Sequence, residues 1–406
     1  MNDDSSIQET LQRVSQNDHT LTMLYIDVRC NDQLNCIGKF NSGSQEDFSR
    51  LGSSIAMNTH IKTLYIDVLY STRVSTEFYD GLRHNSSIQK VMLRYTGNTL
   101  GDVGNELMRV YQDNKRLIEF GIIRVNLQQN ETERIGLTLK SCTNLKEINL
   151  CDCYINHERL PPLVEAMRGQ STLEELYLND NSIGNSGCEI LAALLEDPNS
   201  NLEHLQLETN NIKIEGAVIL VNSLANNTKL KILNLHDNSI ETSVEDIFSR
   251  LLCNTSSINA TYSSNHTLQE LDLYNNIEET RVGRGLRSEH LQDLLLTNEY
   301  ENKGLVAIKK ILLYHPNIDM EPLYNWDVDG ERTLKSLPYV IAWFERAMEA
   351  VSYIRSSEFI HIEYLESKVI KWRKLSAIYQ FARAMPLQFV SPTHTKLDEK
   401  RMRDAN

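Results

Sequence analysis

A set of polar and aromatic residues recurs at fixed positions along the chain. Each of them follows the first apolar residue of an L-x-x-L-x-L segment by two, four or six residues. Carboxylates at such positions can pair with the Lys or Arg of a partner, and tyrosines supply contact area at low entropic cost. The set consists of Glu147, Asn149, Glu175, Tyr177, Asn179, His204, Gln206, Glu208, Asn234, His236, Glu270, Asp272 and Tyr274.

Two histidines in this set raise the alternative of a metal or acid–base site. On neighbouring parallel strands, Glu208 and His236 would stand about 4.8 Å apart, close enough to share a hydrogen bond or to hold a metal together with His204. The sequence contains no P-loop, G-x-G-x-x-G, G-x-S-x-G or H-E-x-x-H motif. We therefore predict no catalytic residues, no metal and no cofactor. We interpret Glu208 and His236 as a solvated pair.

The fixed positions arise from a repeated segment. The template L-x-x-L-x-L-x-x-(N or C)-x-I begins at Leu145, Leu173, Leu202 and Leu230. Weaker copies begin at Leu21, Ile61, Ile88, Leu117, Leu268 and Leu291. From Ile61 to Leu230 the starts lie 27, 29, 28, 28, 29 and 28 residues apart. A fixed period of this length is typical of a solenoid.

Each repeat divides into a strand and a helix. The segment L-x-x-L-x-L has the two-residue alternation of a strand, whereas in GCEILAALL, GAVILVNSL and VEDIFSRLL the apolar residues recur at helical spacing. One repeat cannot bury its own apolar stripe, so neighbours must stack. The pattern predicts a curved α/β array with an inner parallel sheet, outer helices and the polar set on its concave face.

This motif and its period resemble the leucine-rich repeat family, specifically its ribonuclease-inhibitor-like class, over residues 21–300. The resemblance implies a curved solenoid of about ten repeats, whose concave surface engages a protein partner. It also implies a structural ladder, in which the Asn or Cys of the template hydrogen-bonds the backbone of the turn that leaves the strand. The matching ladder residues are Cys153, Asn181, Asn210 and Asn238.

Segments outside the regular repeats complete the predicted organisation. Residues 1–20 are expected to form an N-terminal capping helix, residues 301–390 an α-helical C-terminal cap or interaction region, and residues 391–406 a disordered tail. Two overlong repeats place insertions near 30–46 and 254–267. Insertions in solenoids lie in loops. Such loops either bind a partner or are surface insertions that the fold tolerates without a function.

Charge and composition limit the classes of partner and the cellular location that we expect. A formal net charge of -14 argues against nucleic acid, because phosphate binding relies on clustered Lys and Arg. No apolar run approaches the ~20 residues of a membrane helix, and the N-terminus lacks the pattern of a secretory signal. The 7 cysteines are scattered without CxxC pairs, as expected of reduced thiols. We expect a cytoplasmic protein without membrane partners.

The sequence thus predicts a non-enzymatic intracellular scaffold. Its acidic, polar concave surface is expected to bind a basic protein partner, with affinity that falls as salt rises. One alternative stays open at this stage, namely a GTPase-activating or other regulatory protein that resembles the RanGAP branch of the class. The pattern favours no particular oligomeric state.

Overall fold

The computed structural model describes residues 3–26, 38–40, 44–67, 74–94, 99–241, 243–274, 289–299 and 303–315. The chain divides into two compact units, of which the first comprises Met1–Asn254 and Ser263–Lys303 and the second Thr255–Tyr262 and Gly304–Asn406. In the described part of the chain, no helix has the length and apolar character needed to cross a membrane.

The described strands form one parallel sheet in the first unit. The ten strands are β1 (Met23–Ile26), β2 (Lys39–Phe40), β3 (Thr63–Asp67), β4 (Lys90–Arg94), β5 (Glu119–Ile123), β6 (Glu147–Asn149), β7 (Glu175–Tyr177), β8 (His204–Gln206), β9 (Ile232–Asn234) and β10 (Glu270–Asp272). Their order is β10-β9-β8-β7-β6-β5-β4-β3-β1-β2. From β3 to β10, strands that follow one another along the chain are neighbours in the sheet, as stacking of one repeat on the next requires.

Helices connect most of these strands. The helices of the described residues are α1 (Asp3–Ser15), α2 (Gln45–Met57), α3 (Thr76–His84), α4 (Gly101–Tyr111), α5 (Gln129–Ser141), α6 (Pro161–Met167), α7 (Gly184–Leu195), α8 (Ile214–Leu224), α9 (Val244–Leu252), α10 (Ile258–Tyr262), α11 (Glu289–Asn298) and α12 (Lys303–Tyr314). The three segments with predicted helical spacing lie in α7, α8 and α9. Neighbouring helices such as α7 and α8 pack against each other.

The core of the first unit lies between the sheet and the helices. Successive strands bury equivalent leucines or isoleucines, such as Ile148, Leu176, Leu205 and Leu233. The residues on either side of each buried residue remain partly exposed, so the strands show the alternation of a sheet with one buried face. The predicted α/β solenoid, with a parallel sheet on one side and helices on the other, is confirmed.

The predicted repeat at Leu291 is wrong, because this segment forms helix α11 rather than a strand. Leu291, Leu294, Leu295 and Asn298 are its buried residues. Their separations of three and four residues suit one face of a helix. The short pattern L-x-x-L is shared by the strand template and a helix, so the weak copy could not distinguish the two.

Both predicted insertions contain regular structure. In the segment near 30–46, β2 adds to the edge of the sheet, where Tyr25 and Ile26 of β1 pair with Lys39 and Phe40. In the segment near 254–267, Ile258–Tyr262 forms the short helix α10. The expectation that these segments are loops throughout is therefore wrong. Phe40 is fully buried, which gives the edge strand a core contact that its polar surroundings in the sequence hide.

The ends of the described chain are helical. Helix α1 lies within the predicted N-terminal segment 1–20, and its Thr10 Oγ1 donates a 2.6 Å hydrogen bond to the Lys39 carbonyl of β2. Helix α12 is the described part of the predicted C-terminal region 301–390. The rest of that region and the predicted tail at 391–406 lie outside the described residues.

Candidate functional site

The candidate site is the side of the sheet that faces away from the core, which we call the open sheet face. It carries the third and fifth residues of the described repeats that form strands, and the seventh residues of the repeats that begin at Leu173, Leu202, Leu230 and Leu268. All the residues of the predicted polar set lie there, and most are half-buried, with Glu270 and Tyr274 more exposed. Because the strands are parallel and in register, equivalent residues of successive repeats form rows across the sheet.

The third residues form an acidic row. Glu119, Glu147 and Glu175 are Cα partners on β5, β6 and β7, and the row continues to His204 on one side and Lys90 on the other. Lys90 forms an ion pair with Glu119. Nδ1 of His204 lies 3.5 Å from Oε1 of Glu175. Of Glu119, Glu147 and Glu175, Glu147 is the one that has no ion-pair contact with a basic side chain among the described residues.

Glu147 is electrostatically unfavourable in this position. Partial burial raises the pKa of its carboxyl above the ordinary value, and the neighbouring Glu119 and Glu175 carboxylates raise the pKa further. Lys90 acts in the opposite direction but is the weakest of the four influences. Like charges directly opposite each other on adjacent strands destabilise a sheet. The ionised row is therefore arranged so that an additional cation would relieve it.

The fifth residues form a mixed aromatic and amide row. It runs through Tyr25, Tyr65, Met92, Gly121, Asn149, Tyr177, Gln206, Asn234 and Asp272. The Tyr177 hydroxyl donates a 2.5 Å hydrogen bond to Oε2 of Glu175. Burial and this bond raise the pKa of Tyr177. Tyr177 therefore fixes the position of one carboxylate of the acidic row and stays a neutral donor.

Several predicted binding side chains already hold the backbone. The Oδ1 atoms of Asn149, Asn234 and Asp272 each accept an N–H from two residues further along the chain, at 3.2, 2.8 and 2.9 Å. The Oδ1 atom of Asn179 accepts the N–H of Glu208 in the next repeat, at 3.0 Å. Bonds of this kind are typical of Asx turns and of contacts between repeats. One oxygen of each of these side chains therefore has a structural role.

The considered pairing of Glu208 with His236 is replaced by other contacts. Oε2 of Glu208 accepts a long hydrogen bond of 3.5 Å from Asn234, and the ring of His236 stacks on Tyr274 with centroids 5.2 Å apart. Nδ1 of His236 lies 3.9 Å from Asp272. Within the described ranges, no three His, Cys, Asp or Glu side chains are grouped so that they could hold a metal ion.

The four ladder residues lie between repeats, beneath the turns that follow the strands. Asn181 is buried, accepts the N–H groups of Cys153 and Ile155 and donates to the carbonyl of Leu150. Asn238, two repeats further along the chain, makes the equivalent bonds and accepts the N–H groups of Asn210 and Ile212. Each side chain thus satisfies backbone groups of two successive turns, which is necessary because those groups are buried.

The two other ladder residues show how different chemistry fills the same position. Nδ2 of Asn210 donates to the carbonyls of Leu178 and Glu208 at 2.8 and 3.0 Å. Sγ of Cys153 lies 3.1 Å from the Ile122 carbonyl, and burial raises the pKa of the Cys153 thiol. The protonated thiol can donate one bond where the amide donates two. Cys153 belongs to the first of the four repeats that match the full template, next to the looser repeats before it.

Comparison with known proteins agrees with this architecture. A family model described as Leucine Rich Repeat matches residues 229–251. Ribonuclease inhibitor from Mus musculus is 28% identical over 201 residues, which are 48% of this chain and 43% of that protein. Ribonuclease inhibitor from Sus scrofa is 30% identical over 159 residues, or 39% of this chain and 29% of that protein. This chain carries a leucine-rich repeat array of the ribonuclease-inhibitor-like class.

Other similar proteins share parts of the array. Leucine-rich repeat-containing protein 41 from Mus musculus is 34% identical over 141 residues, which are 33% of this chain and 17% of that protein. The chain therefore spans less than half the length of each of these curated relatives. Among solved structures, an internalin from Listeria monocytogenes aligns with 17% identity and a TM-score of 0.30, over 66% of this chain and 86% of that chain.

The leucine-rich repeat geometry also adds residues that sequence reasoning missed. The polar set began at Glu147, yet the open sheet face continues through Glu119, Lys90, Met92, Tyr65 and Tyr25. The signal was present, because these are the third or fifth residues of the repeats that begin at Leu21, Ile61, Ile88 and Leu117. Reading the weaker repeats with the same template would have found them.

Proposed function

We propose that this leucine-rich repeat array is a non-enzymatic protein-interaction module whose open sheet face binds a basic segment of a protein partner. The observation that carries the proposal is the acidic row of Glu119, Glu147 and Glu175 on three adjacent strands. Among the described residues, Glu147 has no ion pair, and its pKa is raised. A Lys or Arg of the partner would supply the missing cation.

The physical advantage of this surface is its rigidity. The backbone of parallel strands fixes the spacing of the carboxylates at about 4.8 Å per strand, so little conformational entropy is lost on binding. A guanidinium can hydrogen-bond a carboxylate through two parallel N–H groups. Long-range attraction from a chain with net charge -14 would also steer a basic partner towards it.

The relatives support the general type of function. Ribonuclease inhibitor, as its name says, acts on another protein, a ribonuclease. We extend to this chain the protein-binding character and not the particular target. As part of the same proposal, the module works inside the cell, and its ligand is a protein rather than nucleic acid. The proposal needs neither a metal nor a cofactor.

The first test is affinity capture from native lysate with the full chain as bait, at about 0.05 M and about 0.5 M salt. Wild type is compared with a Glu175→Lys plus Glu208→Lys variant. We expect the specific partners to be lost both in the variant and at high salt. Partners that bind equally well to the variant and at high salt would overturn the proposal, since the acidic surface would then have no part in binding.

The matched control places the same charge change on the helical side. Glu189 lies on helix α7, Glu196 is the C-cap of that helix, and both are exposed. A Glu189→Lys plus Glu196→Lys variant changes the net charge by the same amount as the test variant. We expect it to retain the captured partners. Equal loss in both variants would point to net charge alone and would contradict a site on the open sheet face.

A further inference from the structure

An apolar patch adjoins the acidic row on the open sheet face. Its members are Tyr25, Tyr65 and Met92 on β1, β3 and β4, which we call the aromatic patch. The two tyrosine rings stack in parallel, with centroids 4.9 Å apart and planes 5° from each other. All three side chains are half-buried, so part of each remains available to solvent.

Gly121 makes room for the Met92 side chain at the border of the aromatic patch. It is the next residue of the same row on β5, and a Cβ there would lie 2.2 Å from Sδ of Met92. The Met92 side chain therefore occupies the space above Gly121. Methionine is flexible and polarisable and adapts its shape to an inserted apolar or aromatic group. The stacked rings of Tyr25 and Tyr65 therefore lie beside a Met92 side chain that can adapt its shape.

The charges around the patch are of both signs, because Lys90 lies on β4 with Met92 and forms an ion pair with Glu119 of β5. Towards one edge of the sheet, Lys39 of β2 is the partner of Tyr25. In the other direction lies the acidic row, with Glu147 three strands beyond Tyr65. At about 4.8 Å per strand this separation is about 14 Å, which an extended peptide covers with about four residues. A basic group of the partner is thus favoured near Glu147, beyond the Lys90–Glu119 ion pair.

We propose that the partner segment is bipartite and extended across the strands. One aromatic or large aliphatic side chain packs against the aromatic patch, and a Lys or Arg about four or five residues away pairs with Glu147 and its neighbours. This inference rests on the proposed function and deepens it by stating what the basic segment must contain. The apolar anchor fixes the register, and the charges fix the direction across the sheet.

The experiment is selection from a random peptide library displayed on phage, with the full chain as bait. Peptides of about 12 residues can extend about 40 Å, enough to cover both sites. Enriched peptides are then measured individually against Glu147→Lys, Tyr65→Ser and a matched control, Tyr262→Ser, which changes an exposed tyrosine of helix α10 outside the polar set. A Tyr65→Phe variant and thermal unfolding of every variant separate lost binding from lost folding.

The expected result is a shared spacing between the apolar anchor and the basic residue. We expect binding to weaken about tenfold or more in both Glu147→Lys and Tyr65→Ser, and to survive in Tyr65→Phe and Tyr262→Ser. Basic peptides that require Glu147 but tolerate Tyr65→Ser would overturn this inference and leave the proposed function standing. Absence of enriched basic peptides, or binding that tolerates Glu147→Lys, would overturn both.

Discussion

At the scale of single residues, the carboxylate of Glu147 links stability to binding. Partial burial and two neighbouring carboxylates raise the pKa of Glu147, so the folded protein holds this proton more tightly than the unfolded chain does. Glu147 therefore favours the folded state at low pH, and this contribution is lost as the pH rises through the raised pKa. At neutral pH the ionised row is a local cost that a bound cation would offset.

We predict that Glu147→Gln stabilises the free protein at neutral pH by about 0.5 kcal/mol, because it removes two like-charge contacts. The free energy of unfolding should be measured by urea titration from neutral pH down to about pH 4. The advantage of the variant should shrink as the pH falls, since wild-type Glu147 becomes protonated. Glu174→Gln serves as the control, because Glu174 is ion-paired with Lys146 at 2.7 Å. A constant advantage at all pH values would contradict the electrostatic explanation.

The ladder residues stabilise the fold through hydrogen bonds rather than through charge, because their partners are buried backbone groups. We predict that Asn210→Ala lowers the free energy of unfolding by about 2 kcal/mol or more, since the carbonyls of Leu178 and Glu208 each lose a donor. Asn222→Ala, on the exposed surface of α8, should stay within about 0.5 kcal/mol of wild type. Equal effects of the two substitutions in chemical denaturation would show that the ladder bonds add nothing.

At the scale of elements, close helix packing depends on two glycines. Gly52 of α2 and Gly81 of α3 are buried, and a Cβ on Gly81 would lie 2.1 Å from the Gly52 carbonyl oxygen. The helices must therefore approach through bare backbone at this point. A methyl group cannot be accommodated there unless the two helices separate, because the atom it would meet belongs to a main chain.

We predict that Gly81→Ala lowers the free energy of unfolding by about 1–3 kcal/mol through overpacking. Helix propensity alone would favour alanine by about 1 kcal/mol, so the two effects have opposite signs and the packing term should win. Thermal and urea unfolding provide the measurement, with the exposed Ser53→Ala on α2 as the control. Stabilisation by Gly81→Ala would mean that α2 and α3 have room to move apart.

At the scale of the whole molecule, excess negative charge should make salt act in opposite directions on folding and binding. The chain carries a formal net charge of -14, and like charges repel more when the chain is compact. We predict that raising the salt concentration from about 0.05 to about 0.3 M shifts the urea midpoint upwards while weakening capture of the proposed basic partner. Sodium and potassium chloride should act alike, since the cause is screening. A urea midpoint that falls in both salts would contradict the explanation by charge repulsion.

The repeat period and the alternation within each strand could be predicted from the sequence. A leucine every two or three residues, restarted every 27 to 29 residues, leaves stacking as the way to bury one face of every strand. The same reasoning placed the polar set on the open side of the sheet, because side-chain direction in a strand follows the residue count. Local pattern alone determined these features.

The tertiary structure decided which side chains meet. Sequence reasoning gave no reason to pair Glu208 with Asn234 or to stack His236 on Tyr274, because such contacts depend on how the side chains of neighbouring strands pack. It also assigned Leu291 to a strand and missed β2, since a short apolar pattern fits either period until its burial partners are known. Periodicity is encoded locally, whereas pairing and charge environment arise only when distant repeats are packed together.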